Sequence, residues 1–119
     1  MTVEIDGLRD SKGVVQLCLT SQRNAFPQCK KGSAMTATVA ASKAGVRHVF
    51  QNVPAGTYAI AAFHDANRNG KLDRMMAMPT EGFAFSENPP MRPRAPHFDE
   101  ADFTVAGHKT EKLRVRYIL

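Results

Sequence analysis

The feature that most restricts the fold of this chain is an uncharged run of seven residues, TYAIAAF, at positions 57–63. Pro54 and Gly56 stand just before it and predict a tight turn, because proline presets a negative φ and glycine accepts a positive one. A short apolar run that begins after a turn is typical of a strand with both faces buried. We therefore predict that residues 57–63 form the central strand of a layered β structure.

Six other segments have the length and composition of short β-strands. They are residues 2–8, 14–20, 34–41, 46–53, 98–105 and 109–119. Turn residues separate them, and no segment combines a helical period with capping residues. We expect the first two strands to pair like a hairpin. Because 119 residues hold a single core, we predict one domain over residues 1–119: an antiparallel, seven-stranded β-sandwich with a long irregular loop at 74–96.

The predicted central strand leads directly into HDANRNGKLD at residues 64–73, where oxygen-bearing side chains have the spacing of a calcium loop. Calcium prefers carboxylate, amide and carbonyl oxygens, and a glycine at the sixth position, here Gly70, allows the sharp turn. The predicted ligands are the side chains of Asp65, Asn67, Asn69 and Asp73, the main-chain carbonyl of Lys71 and, from outside the loop, Glu81. This pattern predicts coordination of a calcium cofactor and not catalysis.

Two features of the loop predict weak binding. Met76 stands at the twelfth position, where a bidentate glutamate is expected, and Arg68, Lys71 and Arg74 bring positive charge close to the ion. We expect a dissociation constant on the order of 10⁻⁴ to 10⁻³ M, as in extracellular calcium modules. The alternative is a plain polar turn, since Asp, Asn and Gly are also common turn residues. We favour the metal site because four spaced positions match together.

The two cysteines, Cys18 and Cys29, bracket a polar, turn-rich segment. A disulfide closing a loop of about 12 residues would stabilise the fold by roughly 3 kcal/mol in the chain-entropy model. The alternative is a pair of free buried thiols in a cytosolic protein. Together with the calcium loop, the pair favours a disulfide and an oxidising compartment. We expect a periplasmic or secreted protein, whose signal peptide is absent from the sequence as it stands.

The charge of the chain allows an acidic partner but does not point to one. The formal net charge is +5, yet the basic residues are scattered, and the chain has no Trp and only two Tyr. Nucleic-acid binding usually adds a reading element or a platform of aromatic side chains, so we expect no nucleic-acid partner. No apolar run approaches the roughly 18 residues of a membrane span, so we expect none.

Three stretches resemble a known bacterial family. They are FQNVPAGTYAIAAFHDANRNGKLD at 50–73, PTEGFAFS at 79–86 and FDEADF at 98–103. Together they are similar to the small exported proteins classed as domain of unknown function 2141, and the similarity extends over nearly the whole chain. VPAGTY at 53–58 also resembles transthyretin-like and carboxypeptidase-regulatory sandwiches. The resemblance implies an exported transthyretin-like or immunoglobulin-like sandwich of unassigned activity.

We predict a binding or accessory module in which the ion is structural and orders a surface loop for a ligand or protein partner. The candidate contact residues of that loop are Met75, Met76, Met78, Phe83 and Phe85. The first alternative is a metal-dependent hydrolase with a site at His64 and Glu81, which predicts a pocket and an open metal position. The second is a purely structural scaffold domain. No nucleophile motif favours catalysis.

Overall fold

The computed structural model describes residues 1–27, 34–66, 82–90 and 95–117. Within these ranges the chain forms eight strands, one 3₁₀ turn and one short helix. The strands are β1 (Thr2–Asp6), β2 (Val14–Thr20), β3 (Met35–Ala40), β4 (Val46–Val49), β5 (Gly56–Asp65), β6 (Phe83–Phe85), β7 (Phe103–Val105) and β8 (Thr110–Arg114). The 3₁₀ turn is Arg23–Ala25, and helix α1 is Phe98–Ala101. The predicted all-β class is confirmed.

The strands form two sheets that enclose the core. A three-stranded sheet has the order β4-β1-β8, and a five-stranded sheet has the order β3-β2-β5-β6, with β7 also paired to β5. The pairings are antiparallel except for β1 with β8, which run parallel with Thr2 beside Thr110. A parallel pair needs a long connection, and here it brings the last strand of the chain against the first.

Strand β5 occupies the centre of the larger sheet, as the uncharged run predicts. It pairs with β2 on one side, from Val14 opposite Asp65 to Thr20 opposite Ala59. On its other side it pairs with both β6 and β7. Every residue from Ala59 to Asp65 is buried. The prediction of a strand with both faces covered is therefore confirmed.

Both faces of β5 are buried because each contacts a different apolar cluster. Ile60 and Ala62 face the core between the two sheets. Ala59, Ala61 and Phe63 point to the opposite face, as the period of two requires. There they meet a second cluster that also contains Phe26, Phe83, Phe85, Phe98 and Ala101. The 3₁₀ turn and α1 thus cover a face that an open sandwich would leave in water.

Several sequence-based predictions of local structure are wrong. Strands β1 and β2 do not form a hairpin, because they belong to different sheets. The start of the predicted strand 98–105 is instead a helical turn, in which the backbone N–H of His97 donates to Glu100 Oε1 at 2.8 Å. Acidic residues in a first turn also favour a helix. Residues 83–85, which the sequence places in a loop, form β6, so the described residues contain eight strands, one more than predicted.

Candidate functional site

The candidate site lies where β5 ends and the predicted calcium loop begins. Asp65 is the last residue of β5 and is completely buried. Its Oδ2 accepts a hydrogen bond from Gln16 Nε2 at 3.2 Å, and Gln16 Oε1 accepts one from Thr38 Oγ1 at 2.6 Å. Hydrogen bonds to a carboxylate are stronger than neutral ones. The first predicted ligand is therefore held by Gln16 of the neighbouring strand β2, and Thr38 of β3 in turn holds the Gln16 side chain.

Gly13 lets the β1–β2 connection approach the end of β5 closely. Its φ is +70°, and a Cβ there would lie 2.6 Å from the carbonyl oxygen of Ala66. No side chain fits so close to a backbone atom, and L residues other than glycine rarely adopt this φ. The main chain at Gly13 therefore lies directly against the main chain of Asp65 and Ala66, with no side chain between them.

His64, the neighbour of Asp65, is buried and fully hydrogen-bonded. Its Nε2 lies 2.6 Å from the carbonyl oxygen of Lys12, and its Nδ1 lies 2.9 Å from the hydroxyl of Tyr117. Because a carbonyl only accepts, Nε2 carries the proton, and in the neutral ring Nδ1 accepts from the Tyr117 hydroxyl. The hydroxyl oxygen in turn accepts from the backbone N–H of Arg9 at 3.0 Å.

These contacts join three distant parts of the chain. The Arg9 guanidinium lies 3.9 Å from the centre of the Tyr117 ring, a cation–π contact. Burial raises the pKa of the Tyr117 hydroxyl, and the backbone hydrogen bond and charge of Arg9 oppose that rise. The backbone N–H of His64 donates to the carbonyl of Gly82 at 2.7 Å. His64 therefore ties the loop after β1, residue 82 and the C-terminal segment to the end of β5.

Both ring nitrogens of His64 are engaged, and only 2 % of the residue is exposed. Asp10 Oδ1 lies 3.7 Å from Nε2, so a carboxylate also stands beside the donor. A general base must reach a proton of its substrate, and neither nitrogen of this ring has a free direction toward solvent. The arrangement is that of a structural connector.

Most of the predicted metal site falls outside the described residues. Of the predicted ligands, the structure describes Asp65 alone. The other five lie within residues 67–81, which it does not describe: Asn67, Asn69, Lys71, Asp73 and Glu81. The same holds for Met75, Met76 and Met78. Within the described ranges, no group of three or more His, Cys, Asp or Glu side chains is arranged to hold a metal ion.

Phe83 and Phe85, predicted as contact residues of a binding loop, lie in β6 and are buried. Phe85 packs edge-on against Phe26 with ring centres 5.8 Å apart, and Phe26 packs against Phe98 at 6.2 Å. These aromatic contacts stabilise the second apolar cluster. The two buried side chains therefore anchor the chain that follows the predicted calcium loop.

Cys18 lies on β2 between Thr36 of β3 and Ala61 of β5, and it is completely buried. Cys29, its predicted disulfide partner, falls outside the described residues. In the described part of the chain there is no free cysteine.

A pair of neighbouring carboxyl groups was not predicted from the sequence. Glu111 of β8 is 4 % exposed and lies next to Glu87. Burial, reinforced by the hydrogen bond and the charge of Glu87, raises the pKa of Glu111 to about 7. The sequence does hold a signal, because Glu111 shares the strand parity of the apolar residues Leu113 and Val115.

Two facing sheets around one core, with the central strand ending at the buried Asp65, define a small all-β sandwich domain. The chain belongs to the family described as uncharacterized proteins conserved in bacteria (DUF2141), whose model matches residues 3–113. This family is the one that the sequence motifs indicate. Comparison with curated proteins and with solved structures found no match. Among the described residues, no helix is long and apolar enough to cross a membrane.

Proposed function

We propose that this protein is an exported binding or accessory module in which one calcium ion in the 65–73 loop orders the surface that follows it. The observation that carries the proposal is the position of Asp65. A calcium loop needs a fixed first ligand, and Asp65 is the last residue of a buried strand, held by Gln16 of the neighbouring strand. The other ligands follow by sequence spacing.

The two ends of the loop region support the same role. Phe63 anchors the chain before it, and Phe83 and Phe85 anchor the chain after it in the same apolar cluster. The intervening segment thus starts and finishes at β5 and β6, which pair with each other. An ion bound near the start of this long connection would reduce the number of conformations open to it, as a disulfide does for the loop it closes.

The proposal includes a bridge between Cys18 and Cys29 and a location in the periplasm or outside the cell. The absence of a free cysteine among the described residues supports the bridge. Oxidising compartments preserve disulfides and are also where calcium is abundant enough for a weak site. Mass measurement of the alkylated protein before and after reduction tests the bridge, which predicts that both thiols react only after reduction.

The engagement of His64 favours a binding role over hydrolysis. A hydrolase centred on this residue would need an imidazole nitrogen directed at water or substrate. Here one nitrogen donates to a main-chain carbonyl and the other meets the Tyr117 hydroxyl. Any catalytic use of His64 would first have to break both bonds.

The deciding experiment is a calcium titration by calorimetry on oxidised protein that has been stripped of metal. We expect a dissociation constant on the order of 10⁻⁴ to 10⁻³ M and a higher melting temperature with the ion present. Asp65→Asn should weaken binding at least about tenfold, because the charge is lost while the shape is kept. Asp99→Asn, at an exposed site on α1, is the matched control and should bind normally. If calcium produces no heat of binding and no rise in the melting temperature, the loop is a polar turn and not a metal site.

A further inference from the structure

Strand β3 forms an open edge of the five-stranded sheet. It pairs with β2 along one side, from Leu19 opposite Met35 to Val14 opposite Ala40. Along its other side, no strand pairs with it in the part of the chain that the structure describes. None of its six residues is buried, and the strand contains no charge, proline or glycine. An edge of this kind is a template for another strand.

The edges of the smaller sheet are protected by devices that β3 lacks. At the outer edge of β8, the side-chain amide of Asn88 takes the place of a neighbouring strand. Its Nδ2 donates to the Lys112 carbonyl at 3.1 Å, and its Oδ1 accepts from the Arg114 N–H at 2.9 Å. Arg116 also donates to the carbonyl of Pro89 at 3.0 Å. This turn occupies hydrogen-bonding groups that would otherwise be available to another chain.

Strand β4, at the opposite edge of that sheet, is protected differently. It has only four residues, and one of them is the exposed Arg47, whose guanidinium lies 3.8 Å from Glu4. Short length and charge both discourage pairing between edges. β3 is longer and uncharged, so it is the better edge for addition of a strand.

The neutrality of β3 favours a second copy of the same chain as its partner. A two-fold axis would place β3 antiparallel to itself, so any charge on the strand would be duplicated close by. The chain carries a net charge of +5, yet none of that charge lies on β3. With the axis passing between the two Ala37 residues, Thr36 of each copy would face Thr38 of the other. Pairs of β-branched residues are favourable across strands.

We propose that two copies of this protein associate through antiparallel pairing of their β3 edges, which joins their five-stranded sheets into one. The odd-numbered side chains of β3, Met35, Ala37 and Val39, would then form a continuous apolar strip with their counterparts. Six residues bury little area compared with a standard interface. The dimer is therefore weak, with a dissociation constant on the order of 10⁻⁵ to 10⁻⁴ M.

Sedimentation equilibrium of the oxidised full chain in chelator, from about 5 µM to about 500 µM, tests the pairing without reliance on calcium. We expect the average mass to rise from monomer toward dimer. Thr36→Lys, at an exposed position of β3, should weaken association at least about tenfold, because charge on an edge opposes pairing. Val49→Lys adds the same charge at the 37 % exposed Val49 of β4 and should leave association unchanged.

A protein that stays monomeric over this range would overturn the pairing. A dimer that persists in Thr36→Lys would also overturn it. Equal dissociation by both lysine variants would overturn it too, because the effect would then come from net charge and not from the β3 edge. Circular dichroism confirms that each variant folds. If Thr36→Lys does not fold, Ala40→Lys, also exposed on β3, replaces it with the same expected results. Calcium binding is measured separately, so failure of the dimer leaves the calcium site standing.

Discussion

At the scale of single residues, the end of β5 is organised by side chains whose partners lie far away in the sequence. Tyr117 and His64 are 53 positions apart, and Arg9 and Tyr117 are 108 apart. The bond to His64 satisfies a ring nitrogen that burial would otherwise leave without water. Tyr117 is the member with two hydrogen-bonding roles, since its oxygen accepts from Arg9 while its proton is offered to His64.

We expect Tyr117→Phe to lower the free energy of unfolding by about 1–3 kcal/mol, because it leaves His64 Nδ1 and the Arg9 N–H without this partner. Urea unfolding at neutral pH measures the change. Tyr58→Phe is the matched control: its hydroxyl donates to Pro54 at an exposed site, so its loss should cost less than about 1 kcal/mol. Equal losses in the two variants would show that Tyr117 contributes only an ordinary surface hydrogen bond.

At the level of strands and helices, β5 is buried on both faces, and the elements around it are placed so that they cover those faces. The strand's two faces belong to different clusters, and the second cluster is closed by β6, α1 and the 3₁₀ turn. Ser86, just after β6, accepts from the Ile60 N–H at 2.9 Å and donates to the carbonyl of Ala101. A single hydroxyl therefore connects β5 with α1.

The contact between the β1–β2 connection and the end of β5 depends on a glycine. Gly13→Ala should lower the free energy of unfolding by about 2–4 kcal/mol, since it combines an unfavourable φ with a clash against main chain. Gly107→Ala is the matched control, because Gly107 also has a positive φ of +83° but meets nothing within 4 Å. Gly107→Ala should lower the free energy of unfolding only by the cost of the unfavourable φ, about 1–2 kcal/mol.

Urea unfolding of both glycine variants separates the two contributions. A larger loss for Gly13→Ala is the expected result. If the two alanines cost the same, the close approach of Gly13 to the carbonyls at the end of β5 is not energetically significant. Calcium titration of Gly13→Ala would further show whether this backing positions Asp65.

At the scale of the whole molecule, the carboxyl pair of Glu111 on β8 and Glu87 after β6 links stability to pH. Burial and Glu87 raise the pKa of Glu111 from 4.5 to about 7. Between these values the folded state binds more protons than the unfolded state, so stability falls as pH increases. The favourable contribution is fully present below about pH 4.5 and is lost as pH rises through about 7.

We expect Glu111→Gln to flatten this dependence. The wild-type chain should lose up to about 3 kcal/mol of stability from this group between pH 4.5 and pH 7, and the variant should lose little. Glu4→Gln, a partly exposed glutamate on β1, should keep the wild-type slope. Unfolding free energies at several pH values provide the test, and parallel curves for all three proteins would contradict the role of Glu111.

Features that depend on local pattern could be predicted from the amino-acid sequence. Alternation of side chains predicted most strands, and the uncharged run at 57–63 predicted that β5 is central, since only a strand covered on both faces can lack a polar side. The motif from residue 50 to 73 also indicated the family, which the match over residues 3–113 confirms. These signals are carried by neighbouring residues, so no knowledge of distant contacts is required.

Features that depend on partners distant in the sequence could not be predicted and emerge only when the chain packs. Alternation identifies a strand but not its neighbour, so the sequence predicts a hairpin of β1 and β2 although they lie in different sheets. Phe98 suits both a strand and a helix, and the apolar surface of β5 together with the His97–Glu100 bond selects the helix. The burial of His64 between Lys12 and Tyr117, and of Glu111 beside Glu87, follows only from packing. Burial and pairing are properties of the assembled core, which local pattern does not specify.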